Sequence, residues 1–199
     1  IVKKQNSGSA GNSYYCYHIG LDATSPANKR IILNSTAALG SDSTYWNDTV
    51  PTSSVFSLGT TTNVNGSGTV YISYAFAPSQ FTAIGSYKGN GNDDGVFVPT
   101  VNSLGIPIQP AWWMMKRTDN TSGWNIVDTS RDPFNEATHR LEAQANSADN
   151  TANGQFDLVL GGFKFRNTNT DWDGSGASYI YMAFGTPIID VDGRIITGR

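Results

Sequence analysis

The stretch NGSGTVYISYAF, Asn65 to Phe76, is written a second time as DGSGASYIYMAF at Asp173 to Phe184, with seven of the twelve positions identical. Three further pairs keep the same order along the chain. IVKK (Ile1 to Lys4) corresponds to MMKR (Met114 to Arg117), and ANKRIILNSTAA (Ala27 to Ala38) to ATHRLEAQANSA (Ala137 to Ala148). VFSLG (Val55 to Gly59) corresponds more weakly to GFKFR (Gly162 to Arg166). The offset drifts only as a few loop insertions would move it, which is how a duplicated structural unit reads. The repeat predicts two units, 1–80 and 81–187, followed by a C-terminal hairpin or arm at 188–199. The hairpin is signalled by apolar runs either side of Asp192-Gly193.

The two units are unequal. Ahead of MMKR lies FTAIGSYKGNGNDDGVFVPTVNSLGIPIQPAWW, Phe81 to Trp113, which has no counterpart ahead of IVKK. It reads as two strands, AIGSYKG and GVFVPTV, around a turn-rich NGNDDG. The second unit is therefore expected to be complete and the first to lack its opening strands. Such a chain is expected to be a piece of a longer protein, the alternative being that another segment or subunit supplies them.

Alternation sets the fold class. In Thr69 to Phe76 one face carries Val70, Ile72, Tyr74 and Phe76, and in the copy that face becomes Ser178, Ile180, Met182 and Phe184. The shared Ile and Phe predict a core-facing side in both, and a one-residue slip would turn them to water. NGSG and DGSG read as tight hairpin turns. SYYCYHIG, KRIILNS, VFSLG, WWMMKRT, GWNIVDT and GGFKFRN read as further strands. PFNEATHRLEAQANSA (133–148) has helix formers enough for one or two turns, but its counterpart is rich in β-branched residues (Ile31, Ile32), so an extended stretch or a short turn of helix is expected. Many Gly, Ser, Thr and Asn with 12% aromatics and only 15% charge fit short strands joined by small-residue turns. The expectation is an all-β, antiparallel β-sandwich with two internally repeated units.

The same composition excludes several functions. A net charge of −3 with no basic stripe argues against a nucleic-acid partner. The longest apolar runs are too short for membrane insertion by a helix, and the first residues lack the apolar core of a signal peptide. Cys16 alone excludes an intrachain disulfide framework. It reads as a small packed hydrophobe, the sharper alternative being a catalytic thiol served by His18 two residues on. His18 and His139 sit in no recognisable constellation. Asp119, Asp128, Asp132, Glu136 and Glu142 could supply the paired carboxylates of a glycosidase, but their spacing pairs none of them. No enzyme motif is present, and no enzyme is expected. GNGNDDG (Gly89 to Gly95) and NTDWDGSG (Asn169 to Gly176) carry oxygen ligands in Gly-rich loops, as calcium sites do, but those residues also form ordinary turns, so no cofactor is assigned. For stacking on sugar, Trp172 in its polar turn is the first candidate and Tyr45 with Trp46 the second, whereas Trp113 and Trp124 fall in strand patterns and read as core.

The wording of several segments carries a resemblance. WNDTVPTSSVFSLG, GSYKGNG, KRTD and YIYMAF, within matches running from about residue 1 to 187, resemble a domain of unknown function found in long structural proteins of bacteriophages, mainly marine ones. NSLGIPIQ (Asn102 to Gln109) and the tail after Pro187 depart from it. The resemblance implies a concanavalin- or jelly-roll-like sandwich in a virion protein, tail fibre, appendage or capsid decoration. It implies no catalytic residues. Its implied partners are other virion proteins and copies of the same chain. A carbohydrate-binding adhesin recognising a host surface glycan is the alternative.

Overall fold

Some strand pairs in the two halves of the chain have the same register. The computed structural model describes residues 1–5, 12–151, 155–189 and 192–194. The first half contributes β1 (Val2–Lys4), β2 (Tyr15–Cys16), β3 (Lys29–Ile32), β4 (Gly40–Ser41), a single helical turn α1 (Thr62–Asn65) and β5 (Tyr71–Ser73). The second contributes β6 (Thr82–Lys88), β7 (Phe97–Pro99), β8 (Ile108–Arg117), β9 (Trp124–Asp128), β10 (Leu141–Glu142), β11 (Phe156–Val159), β12 (Gly162–Phe165) and β13 (Ser178–Pro187).

β1 pairs with β5 so that Val2, Lys3 and Lys4 lie opposite Ser73, Ile72 and Tyr71. β8 pairs with β13 so that Met115, Lys116 and Arg117 lie opposite Tyr181, Ile180 and Tyr179. Likewise Tyr15 and Cys16 face Ile32 and Ile31, as Asn125 and Ile126 face Glu142 and Leu141. Arg30 pairs with Gly40 and Arg140 with Asn150.

The result is nearly all β and antiparallel. One five-stranded sheet runs β4-β3-β2-β1-β5, a second runs β10-β9-β8-β13-β6, and a three-stranded sheet runs β11-β12-β7. Period-two alternation gives the second sheet two apolar faces. Trp113, Met115, Val127, Tyr181 and Ala183 pack against Phe156, Phe163 and Phe165 of the small sheet. Trp124, Ile180 and Met114 on the opposite face meet Cys16, Leu21 and Ile31 of the first half. The other face of the first sheet is closed by Tyr45, Trp46 and Val64 from the long connection between β4 and β5. Hydrogen bonds tie the halves together, from Trp124 Nε1 to the Ile32 carbonyl at 2.9 Å and between Ser122 N–H and the Thr36 carbonyl at 2.9 Å. Among the described residues no helix is long and apolar enough to cross a membrane.

Residues 133–148 hold no helix. The Asp132 carboxylate accepts the Thr138 and His139 N–H groups at 2.7 and 2.5 Å, and Arg140 is drawn to Asn125 Oδ1 at 2.7 Å, so tertiary pairing overrides local propensity. Three expectations are corrected. VFSLG is not a strand. Thr52 Oγ1 accepts the Ser54 and Val55 N–H groups at 3.2 and 3.1 Å, folding the segment into a turn. NGSG and DGSG are not two-residue hairpin turns, because the positive φ falls on Gly68 (67°) and Gly176 (68°). Each is the third residue of a four-residue turn closed by Thr69 N–H to Gly66 O (3.1 Å) or Ala177 N–H to Gly174 O (3.0 Å), where a left-handed residue is required. The third concerns the Ile72 face of β5, which is solvent-exposed and forms part of the candidate interaction surface. The hairpin expected around Asp192-Gly193 lies mostly outside the described residues.

Candidate interaction surface

A tyrosine holds each of the repeated turns in place. Gly66 N–H donates to Tyr71 Oη at 2.8 Å, and that hydroxyl donates to the Thr62 carbonyl at 2.5 Å. In the second half Gly174 N–H donates to Tyr179 Oη at 2.8 Å and the hydroxyl donates to the Thr170 carbonyl at 2.7 Å. The residue before each turn's Asn or Asp, Val64 or Trp172, is fully buried.

The strands leaving the two turns have different surroundings. β13 lies between β8 and β6, whereas β5 ends its sheet. Val70 O accepts from Gln5 N–H (2.8 Å) and Tyr74 N–H donates to Ile1 O (2.9 Å). Alternation along an antiparallel strand therefore turns the N–H and C=O groups of Tyr71, Ser73 and Ala75 away from β1, toward the open edge. From Ile72 to Pro78 every residue is exposed. Ile72, Tyr74 and Phe76 retain 40%, 47% and 46% of their accessible surface, against 1% for Ile180. The expected core face of β5 is therefore largely exposed, because among the described residues no layer covers it. Phe76 rests its ring on Phe184 (6.2 Å between centroids), and Phe184 in turn lies on Trp112 (5.5 Å). A strand edge and an aromatic run thus share one surface, which is the combination that strand addition uses.

The rings expected to stack on sugar are elsewhere. Trp172 is fully buried, and Tyr45 and Trp46 keep only 4% and 3% of their surface. Trp172 packs on Phe156 (5.0 Å) under the Arg140 guanidinium (5.3 Å) and donates from Nε1 to Asn167 Oδ1 at 2.8 Å. Trp46 donates from Nε1 to the Lys29 carbonyl at 2.9 Å, and the Tyr45 ring lies 4.8 Å from Tyr15. In this fold protein atoms cover all three rings. Polar neighbours in sequence surround Trp172, but the small sheet and Arg140 cover its ring.

The titratable candidates are also committed. His18 Nε2 lies 3.1 Å from the Tyr181 carbonyl, so it carries the proton, and Nδ1 accepts the Gly20 N–H at 3.0 Å. Burial pushes this imidazole down to about 4. It has no lone pair left to activate Cys16, whose thiol points to the Tyr14 carbonyl (3.6 Å) and is pushed up to about 11 by burial. His139 is bonded to Asp149 at 2.7 Å, which raises it. Asp119 binds Arg117 (2.7 Å), Asp128 binds Arg131 (2.7 Å) and Glu142 binds Arg140 (3.0 Å), so these carboxylates neutralise cations and do not pair with one another.

The two Gly-rich loops considered for calcium meet each other. Asn90 N–H donates to Asp173 Oδ1 at 2.8 Å, Gly91 N–H donates to the Asp173 carbonyl at 2.8 Å, and Asp94 pairs with Lys164 at 2.7 Å. Asp173 Oδ1, the Asp173 carbonyl and the Asp94 carboxylate thus meet protein donors, whereas Asp173 Oδ2 is buried without a hydrogen bond, and among the described residues no three His, Cys, Asp or Glu side chains gather at metal-binding distance.

Lys116 was not singled out by its sequence context. It is fully buried, and its Nζ donates to the carbonyls of Arg117 (2.6 Å) and Thr36 (3.4 Å). Desolvation brings it down to about 8. These two carbonyls come from different halves of the chain, so Lys116 bridges them. A cleft of about 320 Å³ opens nearby between the halves, lined by Gly20, Leu21, Leu39, Ser86, Lys88 and Asp119 among others. Lys88 is bonded there to Ser178 Oγ at 2.8 Å and Asp119 accepts the Ser178 N–H at 3.0 Å.

No curated protein and no solved structure matches the chain. Residues 1–187 match the family described as a domain of unknown function (DUF7483), and the protein belongs to that family.

Proposed function

We propose that the protein is a non-enzymatic structural component of a bacteriophage virion, a tail fibre, appendage or capsid decoration subunit built to join other subunits through strand edges. The observation that carries this is the β5 edge, with outward backbone groups and exposed Ile72, Tyr74 and Phe76 beside it. An apolar strand edge of this kind invites association, and an isolated soluble domain ordinarily blunts it with charge or proline.

The resemblance of WNDTVPTSSVFSLG, GSYKGNG and YIYMAF to segments of phage structural proteins supports the virion setting and a concanavalin-type sandwich. The shared register of β1–β5 and β8–β13 supports two repeated units, which suits an assembly of recurring modules. The glycan-binding alternative would have to act through rings other than Trp172, Tyr45 and Trp46. Mass spectrometry of purified phage particles tests the proposal: the protein is expected among the virion proteins at stoichiometric abundance, and its absence from intact particles overturns it.

A further inference from the structure

The second half shows what chemistry fits beside a strand like β5. β6 runs along β13 with Tyr87 opposite Tyr179 and Gly85 opposite Tyr181. The Tyr87 ring stacks on Tyr179, 4.8 Å between centroids at 10°, and its hydroxyl donates to the Trp172 carbonyl at 2.9 Å. Just beyond, Gly89 N–H donates to the Ala177 carbonyl at 3.0 Å and the Gly89 carbonyl accepts the Gly176 N–H at 2.9 Å. A Cβ on Gly89 would stand 2.4 Å from the Gly174 carbonyl oxygen, so only glycine lets the strand pass the turn. A tyrosine followed two residues later by glycine therefore locks β6 to β13.

The groups at the turn end of β13 have counterparts at β5, while Tyr181, opposite Gly85, is replaced by Ser73. Tyr71 stands for Tyr179, and the turn Gly66–Thr69 for Gly174–Ala177, with the same closing hydrogen bond and the same positive φ at its third residue. Val64 stands for Trp172, each donating its N–H at 3.2 Å to the residue three before it.

We infer that the β5 edge is a strand-docking site whose occupant is an extended segment of the β6 kind, contributed by another module of this family, with a tyrosine over Tyr71 and a glycine passing the Gly66–Thr69 turn. β6 itself is engaged along its whole length with β13. A second copy's β5 fits poorly, because Tyr71 and Tyr74 are followed two residues on by Ser73 and Phe76. Backbone pairing supplies the affinity and the Tyr-x-Gly spacing the selectivity.

The inference rests on reading β5 as the assembly surface. It is tested on the full chain with a synthetic peptide of residues 79–91, SQFTAIGSYKGNG, by titration calorimetry and amide hydrogen exchange. Saturable binding that slows exchange at Tyr71, Ser73 and Ala75 is expected, with a Gly89→Val peptide weaker by about tenfold or more. Equal binding of the two peptides, or no added protection at those amides, overturns the inference. So does self-association through β5 that the peptide fails to displace. If the peptide fails while the protein is found in particles, the docking inference falls and the virion proposal stands; peptide binding with the protein absent from particles gives the reverse.

Discussion

Ile72 and Ile180 stand at corresponding places on β5 and β13, opposite Lys3 and Lys116, yet Ile180 is 1% exposed and Ile72 is 40% exposed. Ile180 lies in the cluster with Cys16, Leu21, Ile31 and Trp124. Ile180→Asp places an unpaired charge there and is expected to cost on the order of 3–5 kcal/mol, whereas Ile72→Asp is expected to stay within about 1 kcal/mol. Urea melts of both variants check this. Equal losses would mean that Ile72 is covered in the isolated chain.

The same pair shows what alternation can and cannot predict. The pattern in Thr69–Phe76 places Ile72 and Phe76 on one face correctly, but a face is buried only if something lies over it. β13 has β6 beside it and sheets on both sides, and β5 has neither beyond Tyr71. Trp172 fails in the opposite sense, since its Asp and Gly neighbours in sequence say nothing of Phe156 and Arg140, which reach it across the fold. The antiparallel pairing of β1 with β5 and of β8 with β13 lies in segments whose alternation marks them as strands, whereas VFSLG and GFKFR, set side by side in sequence, fold as a turn and as β12. The roles of His18 and Lys116 were not legible, since their partners, Tyr181 and Thr36, lie in the other half of the chain.

His18 predicts an acid-sensitive window. Its folded value of about 4 lies below the ordinary 6.5, so between these limits the unfolded chain holds more protons and stability falls as the pH falls. The loss is full below about pH 4 and amounts to at most about 3 kcal/mol. His139, raised by Asp149, works the other way, losing its contribution as pH rises through its raised value, but the pair is exposed and weak. Asp22, lowered to about 2 by the Ser25 and Thr24 N–H groups and the Thr24 hydroxyl, acts only below the His18 window. Urea midpoints at pH 7 and 4.5 are expected to differ markedly in the wild type and much less in His18→Phe.

The two turn-holding tyrosines should be felt unequally. Tyr179→Phe leaves Gly174 N–H and the Thr170 carbonyl without the hydroxyl in a buried site, and a loss of about 1–3 kcal/mol is expected. Tyr71→Phe removes the same two bonds where water can replace them, so its expected cost is about 1 kcal/mol or less. Thermal denaturation of both variants decides. A larger effect at Tyr71 would contradict the burial difference.

Trp172→Ala is expected to cost about 3–5 kcal/mol through the cavity it leaves beside Phe156. Any change in glycan binding by this variant should track its unfolding, seen as a loss that disappears when binding is compared at temperatures well below each melting point. A selective loss of binding in a fully folded variant would show that the ring touches sugar after all.

Hydrogen exchange of the segment 70–78, read by mass spectrometry in the isolated chain and in the particle proposed to contain it, tests the central claim most directly. Rapid exchange at Tyr71, Ser73 and Ala75 in the isolated chain and strong protection of the same amides in the particle is the predicted result. Equally rapid exchange in both would contradict the assignment of the β5 edge as the surface through which this protein assembles.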